Sequence, residues 1–85
     1  MVFTIKEYVD LGLSRQVETI WADTDLKQAK EKVLQRLNSQ TYASMCEYLI
    51  IAWEAGLPVG HFVYDAEQKT FEWIGDLSDP SNHSN

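Results

Sequence analysis

The fold is decided by the stretch HFVYDAEQKTFEWIG, residues 61–75, in which two short apolar runs flank a polar connection. Both runs are rich in aromatic and β-branched side chains, so the pattern predicts a β-hairpin. If Asp65 and Thr70 close the turn, side chains that lie opposite one another share a face. The hairpin then presents four aromatic residues on one face, which we expect to be the core side: Phe62, Tyr64, Phe71 and Trp73.

The segment EYLIIAW, residues 47–53, is a nearly continuous apolar run that ends at Gly56 and Pro58. Such a run is typical of a central strand covered on both faces, and the hairpin needs a partner strand. The same letters also suit a short helix that starts at Thr41 and is capped by Gly56. In the strand interpretation, if one helix covers one face, an apolar patch remains on the other face as a partner or dimer site: Tyr48, Ile50, Ala52, Val63 and Ile74.

Residues 25–37 carry the clearest helical pattern, because apolar side chains recur there at spacings of three and four. The predicted apolar stripe consists of Leu26, Ala29, Val33, Leu34 and Leu37. Asp23, Thr24 or Asp25 can cap its start. The other face of the helix carries four basic side chains, Lys27, Lys30, Lys32 and Arg36. We predict that they form a solvated outer face, or that they offset the negative charge of the carboxy-terminal half in a head-to-tail dimer.

The first 22 residues allow two interpretations. As strands, residues 3–8 and 16–22 form a hairpin, and the whole chain becomes β-β-α-β-β-β. The fold class is then α+β, a small antiparallel sheet of four or five strands with one main amphipathic helix packed on one face. We expect residues 1–76 to form a single compact domain and residues 77–85 to be a frayed polar tail.

As helices, residues 4–21 resemble a helix-turn-helix. Gly12 would lie at the turn, Ser14 would cap the second helix, and Arg15 and Gln16 would occupy base-reading positions. The resemblance implies a DNA-binding transcriptional regulator. Two positions depart from the usual pattern: Tyr8 replaces a small residue and Glu18 an apolar one. A formal net charge of −6 also opposes binding to phosphates, so nucleic acid is the less favoured partner.

The net charge belongs to one half of the chain. Residues 1–37 balance six acidic against six basic side chains, whereas residues 38–85 carry seven acidic side chains and one lysine, Lys69. Charge distribution governs steering and partner choice more than fold. The acidic half therefore predicts a partner with a basic surface.

Residues suited to chemistry are few. Cys46 is the single cysteine, and metal sites built from cysteines need several, so we predict no metal site. A nucleophilic cysteine needs a positioned base, and His61 is the one conceivable base, but no known motif surrounds either residue, so we predict no catalytic site. The glycines form no phosphate-binding motif, and no cofactor is expected. A single cysteine favours a reducing, cytoplasmic setting. No apolar run is long enough to span a membrane.

The predicted function is that of a small acidic intracellular interaction module without catalysis: an inhibitor, antidote, adaptor or accessory subunit. Many small proteins of phages and mobile elements share this size and charge. The 61–76 hairpin would dock on a basic protein surface, and a homodimer is the second association that the charge pattern suggests. The predicted partner contacts are Tyr64, Asp65, Glu67, Glu72, Trp73 and Asp76.

Overall fold

A computed structural model describes residues 1–10, 12–39 and 45–83 of the chain. These residues form one α-helix, five strands and a final 3₁₀ turn. The elements in chain order are β1 (Val2–Asp10), β2 (Arg15–Asp23), α1 (Leu26–Ser39), β3 (Cys46–Glu54), β4 (Leu57–Asp65), β5 (Thr70–Gly75) and the turn Pro80–His83. The predicted α+β class and the β-β-α-β-β-β order are confirmed.

The strands form one antiparallel sheet in the order β2-β1-β3-β4-β5. Residues 2–10 and 15–23 are strands joined by a short connection, so the helical interpretation of residues 4–21 is wrong. Arg15 and Gln16 pair with Asp10 and Val9 in the β1–β2 ladder, where no recognition helix exists. Leu11, in the connection between these strands, lies outside the described residues.

The segment 47–53 is a strand, which confirms the preferred prediction over a short helix. β3 lies at the centre of the sheet between β1 and β4. The alternative start at Thr41 lies outside the described residues. Alternate β3 side chains are fully buried, and the side chains between them are half-buried, so one face is better covered than the other.

The hairpin of β4 and β5 has the predicted register. Asp65 pairs with Thr70, Tyr64 with Phe71, and Phe62 with Trp73. The last two pairs bring their ring centroids to 4.9 Å at tilted angles, a favourable geometry for aromatic pairs. All four aromatics therefore share one face, as predicted.

The predicted face of β3 relative to this hairpin is wrong, and a bulge explains the error. Trp53 pairs with Pro58, but Ala52 pairs with Gly60, so Val59 is an extra residue in β4. One extra residue reverses which face the following side chains occupy. As a result Ile50 lies beside Phe62 on the core side. The other predicted members of the exposed patch on this strand, Tyr48 and Ala52, are buried as well.

Helix α1 begins after Asp25, whose side chain accepts a hydrogen bond from the Gln28 backbone N–H at 3.2 Å. Ala29 and Val33 are fully buried against the core residues Phe3, Ile5, Tyr48, Ile50, Ala52 and Phe62. Leu34 is 38% exposed, so its predicted place in the buried stripe is wrong. We call the sheet face under α1 the helix face and the opposite one the open face.

Residues 76–83, at the carboxyl end, lie on the side of the helix. Trp73 donates a hydrogen bond from Nε1 to the Leu77 carbonyl oxygen at 2.8 Å. Pro80 and Ser81 line a depression together with the first turn of α1. The segment expected to fray contains the 3₁₀ turn Pro80–His83, and residues 84 and 85 lie outside the described ones. With 14 residues, α1 is too short and too polar to cross a membrane, and the described chain holds no other candidate.

Candidate functional site

A carboxylate lies buried between the helix and the sheet. Glu7 follows Phe3 and Ile5 at every second position of β1, so it points to the helix face and is 6% exposed. Its Oε2 accepts hydrogen bonds from the Tyr48 hydroxyl at 2.7 Å and from Arg36 Nη2 at 2.8 Å and Nε at 3.2 Å. These three side chains, the Glu7 cluster, join β1, β3 and α1.

The Glu7 cluster keeps its carboxylate ionised. Burial by itself raises the pKa of Glu7, but hydrogen bonds from Tyr48 and Arg36 and the charge of Arg36 bring it below its usual value. Burial, and then the hydrogen bond to Glu7, raise the pKa of the Tyr48 hydroxyl. The hydrogen bond to Glu7 also raises the pKa of Arg36. The three groups satisfy one another, which favours a role in holding α1 on the sheet.

The predicted solvated basic face of α1 is wrong for two of its four members. Arg36 turns inward to Glu7. Lys30 Nζ lies 4.8 Å from the Phe62 ring centroid and 5.6 Å from that of Phe71, within cation–π range. Both cations occupy the inner stripe that continues from Leu26 through Val33 at helical spacing. Two of the four basic side chains therefore contact the sheet beneath the helix: Arg36 neutralises Glu7, and Lys30 covers Phe62 and Phe71.

Of the predicted partner contacts, the two aromatic residues lie on the helix face and are half-buried. Tyr64 packs on Phe71. Trp73 packs on Phe62 and covers Gly60 and Gly75, where an added Cβ would lie 2.4 Å and 2.8 Å from its ring. The absence of a side chain at the two glycines lets the indole approach the backbone of the sheet closely. Trp73 thus supports the fold while leaving part of its surface accessible.

The predicted acidic contacts follow the outer edge of the hairpin. Asp65 accepts hydrogen bonds from the backbone N–H groups of Glu67 and Gln68 at 2.9 and 3.2 Å and so closes the turn. Glu67, in the turn, is exposed. Glu72 lies opposite Val63 on the open face, and Asp76 follows the end of β5; both are exposed. These residues lie along one edge of the sheet but do not share one face.

The open face combines apolar and charged side chains in rows that cross the strands. Its central row consists of Lys6, Leu49, Val63 and Glu72, and the next row of Thr4, Ile51, His61 and Ile74. Trp53 lies beyond them and donates from Nε1 to Thr4 Oγ1 at 2.8 Å. Within the described chain, no helix covers this face. Of the predicted exposed patch, Val63 and Ile74 do lie here.

The one conceivable nucleophile and base are kept apart. Cys46 lies on the helix-face side of β3, two residues before Tyr48, whereas His61 lies opposite Ile51 on the open face. The sheet separates them, so they cannot act as a pair. Among the described residues, no group of three or more metal-ligating side chains is placed to hold an ion.

Sequence reasoning missed the Glu7 cluster, although one signal was present. In the run Phe3, Ile5, Glu7, the acidic residue continues an alternating apolar pattern, which marks a carboxylate that points into the core. A buried carboxylate requires partners. The identity of those partners depends on the β1–β3 register, in which Glu7 lies beside Tyr48.

The chain matches no protein-family model, no curated protein and no solved structure.

Replacing Tyr48 by Phe tests the energetic importance of the Glu7 cluster. The change removes one hydrogen bond to a buried carboxylate, and we expect the free energy of unfolding in urea to fall by about 2 kcal/mol. Tyr64→Phe is the matched control, since no hydrogen bond from the Tyr64 hydroxyl is seen in the described chain. Equal effects of the two substitutions would contradict the assigned role.

The pH dependence of stability tests the charge state of Glu7. Because the pKa of Glu7 is lower in the folded than in the unfolded chain, its ionised form stabilises the fold above the unfolded value, ordinarily 4.5. That stabilisation is lost as the pH falls through the folded pKa. In urea titrations, Glu7→Gln should therefore be less stable than the wild type at pH 7, and the difference should shrink below about pH 4. A difference independent of pH would contradict this assignment.

Proposed function

We propose that this protein is a small acidic interaction module, an inhibitor, antidote, adaptor or accessory subunit, that docks its β4–β5 hairpin on a basic surface of a partner protein. The observation that carries the proposal is the placement of Glu67, Glu72 and Asp76. All three are exposed along one edge of the sheet, from the β4–β5 turn to the end of β5. Within the described residues, none of them forms an ion pair.

Charge complementarity explains why such an edge suits a basic partner. Lys69 is the only lysine or arginine after Arg36, so the field along the hairpin is negative. A row of exposed, negatively charged carboxylates attracts a basic surface towards the edge and repels acidic competitors. They also discourage pairing of β5 with like strands. The hairpin therefore selects partners with a basic surface during the approach, before any side chain is buried in the interface.

The hairpin is also a rigid support for this contact. Asp65 closes the turn, and the tilted aromatic pairs Phe62–Trp73 and Tyr64–Phe71 hold the two strands together. A preformed surface loses little conformational freedom on binding. Tyr64 and Trp73 are half-buried on the helix face of the same hairpin. They offer aromatic area on one side of the edge that carries the carboxylates, and such residues often dominate binding energy.

The proposed module has no catalytic activity of its own and acts in the cytoplasm, a setting that suits a chain with one cysteine. Its effect on a partner would come from occupying a basic surface. Blocking such a surface inhibits a nucleic-acid-binding or anion-binding partner, and joining it to another protein makes an adaptor.

Charge reversal on the hairpin tests the proposal. Immobilised wild-type protein and the variant Glu67→Lys/Glu72→Lys are compared in capture from the native host, with mass spectrometry as the readout. We expect the captured partner to be lost in the variant, and its affinity for the wild type to fall as salt rises.

The matched control is Glu18→Lys, which reverses an exposed carboxylate on β2, the opposite edge of the sheet. It should retain the partner. Retention by the hairpin variant, or an affinity independent of salt, would show that this mechanism is wrong.

A further inference from the structure

We propose that two copies of this chain associate through their open faces, with Lys6 of each copy against Glu72 of the other. The result is a two-sheet sandwich in which α1 covers the outside of each copy. This association goes beyond hairpin docking, because it uses the face of the sheet and requires no second protein species.

The first observation is the apolar centre of the open face. Leu49, Ile51 and Val63 occupy neighbouring positions on the two central strands β3 and β4. Ile74 adjoins them on β5 and is 48% exposed. In the described chain, no helix shields these side chains from water. Burial of such a face against a second sheet is the usual way in which antiparallel sheets form a sandwich.

The second observation is the charge at the two ends of the central row. Lys6 and Glu72 lie on the same row but three strand spacings apart, about 14 Å, which is too far for an ion pair within one copy. Neither forms an ion pair among the described residues. The row is therefore positive at one end, apolar in the middle and negative at the other.

A two-fold axis can place every residue of this row opposite a complementary residue of the same row in the second copy. If the axis runs parallel to the strands and passes between β3 and β4, it exchanges the two ends of the row. Lys6 then lies over Glu72 of the second copy, and Leu49 over Val63 of the second copy. Each contact occurs twice, as required in an isologous interface. The next row places Ile51 over His61 and Thr4 over Ile74 in the same way.

The charges also select this arrangement over the other in-plane axis. An axis perpendicular to the strands and between the two rows would place Lys6 over Thr4 and Glu72 over Ile74. Both charges would then be buried without an opposite charge, which is costly. The charge pattern of the open face therefore specifies the direction of the axis.

The size of the face is adequate for a dimer. The four strands that overlap, β1, β3, β4 and β5, cover about 19 by 30 Å, a footprint of about 600 Å². Side-chain relief adds to this, and a standard interface buries about 800 Å² per partner. At the rim, Glu47 would lie near Asp65 of the second copy. Glu47 is exposed there and has Arg15 at 4.0 Å, and the packing angle of about 30° between sheets spreads the corners apart.

The test is a charge swap measured by sedimentation equilibrium. The wild type should be a dimer. Lys6→Glu and Glu72→Lys should each weaken the dimer by about tenfold or more, because two attractive contacts become repulsive. The double variant Lys6→Glu/Glu72→Lys restores opposite charges across the interface and should return the dissociation constant to within about threefold of the wild type.

Two results would overturn the proposal. One is a wild type that stays monomeric at millimolar concentration, and the other is a double variant no stronger than its single parents. Circular dichroism of each variant verifies that the fold is retained. Failure here is separable from failure of hairpin docking. Because Glu72 belongs to both contacts, the second copy and the basic partner compete for it. Lys6→Glu should therefore weaken the dimer and retain or strengthen partner capture, whereas the double variant should restore the dimer and still weaken capture.

Discussion

In the described part of the chain, one helix of 14 residues packs on a sheet of five strands. Because the helix can cover only one face of the sheet, this constraint shapes the rest of the structure. A helix on one face leaves the other face to water or to another protein. The bulge at Val59 then determines which side chains of β3 and β4 share each face of the sheet. It places Ile50 and Phe62 together under α1, while Leu49 and Val63 face outward.

The helix is held in place by more than apolar contact. Ala29 and Val33 fill the core, and Arg36 reaches Glu7 at the far end of the same stripe. A buried carboxylate with a missing partner is strongly unfavourable, so the ion pair fixes where α1 can lie along β1. The positive charge of the helix is thereby turned partly inward, whereas Glu67, Glu72 and Asp76 of the hairpin form no ion pair with any described residue.

The sequence predicted the hairpin, the helix and the order of the elements, because each depends on local alternation or helical spacing. It failed where a non-local event decided the outcome. Pro58 and Gly60 on either side of Val59 are compatible with a bulge, but they do not fix which residue is extra. The alternation along β3 therefore predicts the wrong face. Likewise, Arg36 and Lys30 look like a solvated stripe until Glu7 and Phe62 are placed beneath them. The acidic edge was predictable, since it depends on composition and on one hairpin.

We propose that two copies of this chain meet through the open face of the sheet, which is distinct from the hairpin edge proposed to bind a basic partner. The most direct measurement is an isotope-filtered nuclear Overhauser experiment on a mixture of labelled and unlabelled chains. We expect contacts between the methyl groups of Leu49 in one copy and those of Val63 in the other. Cross-copy contacts that come from α1, or none at millimolar concentration, would contradict it.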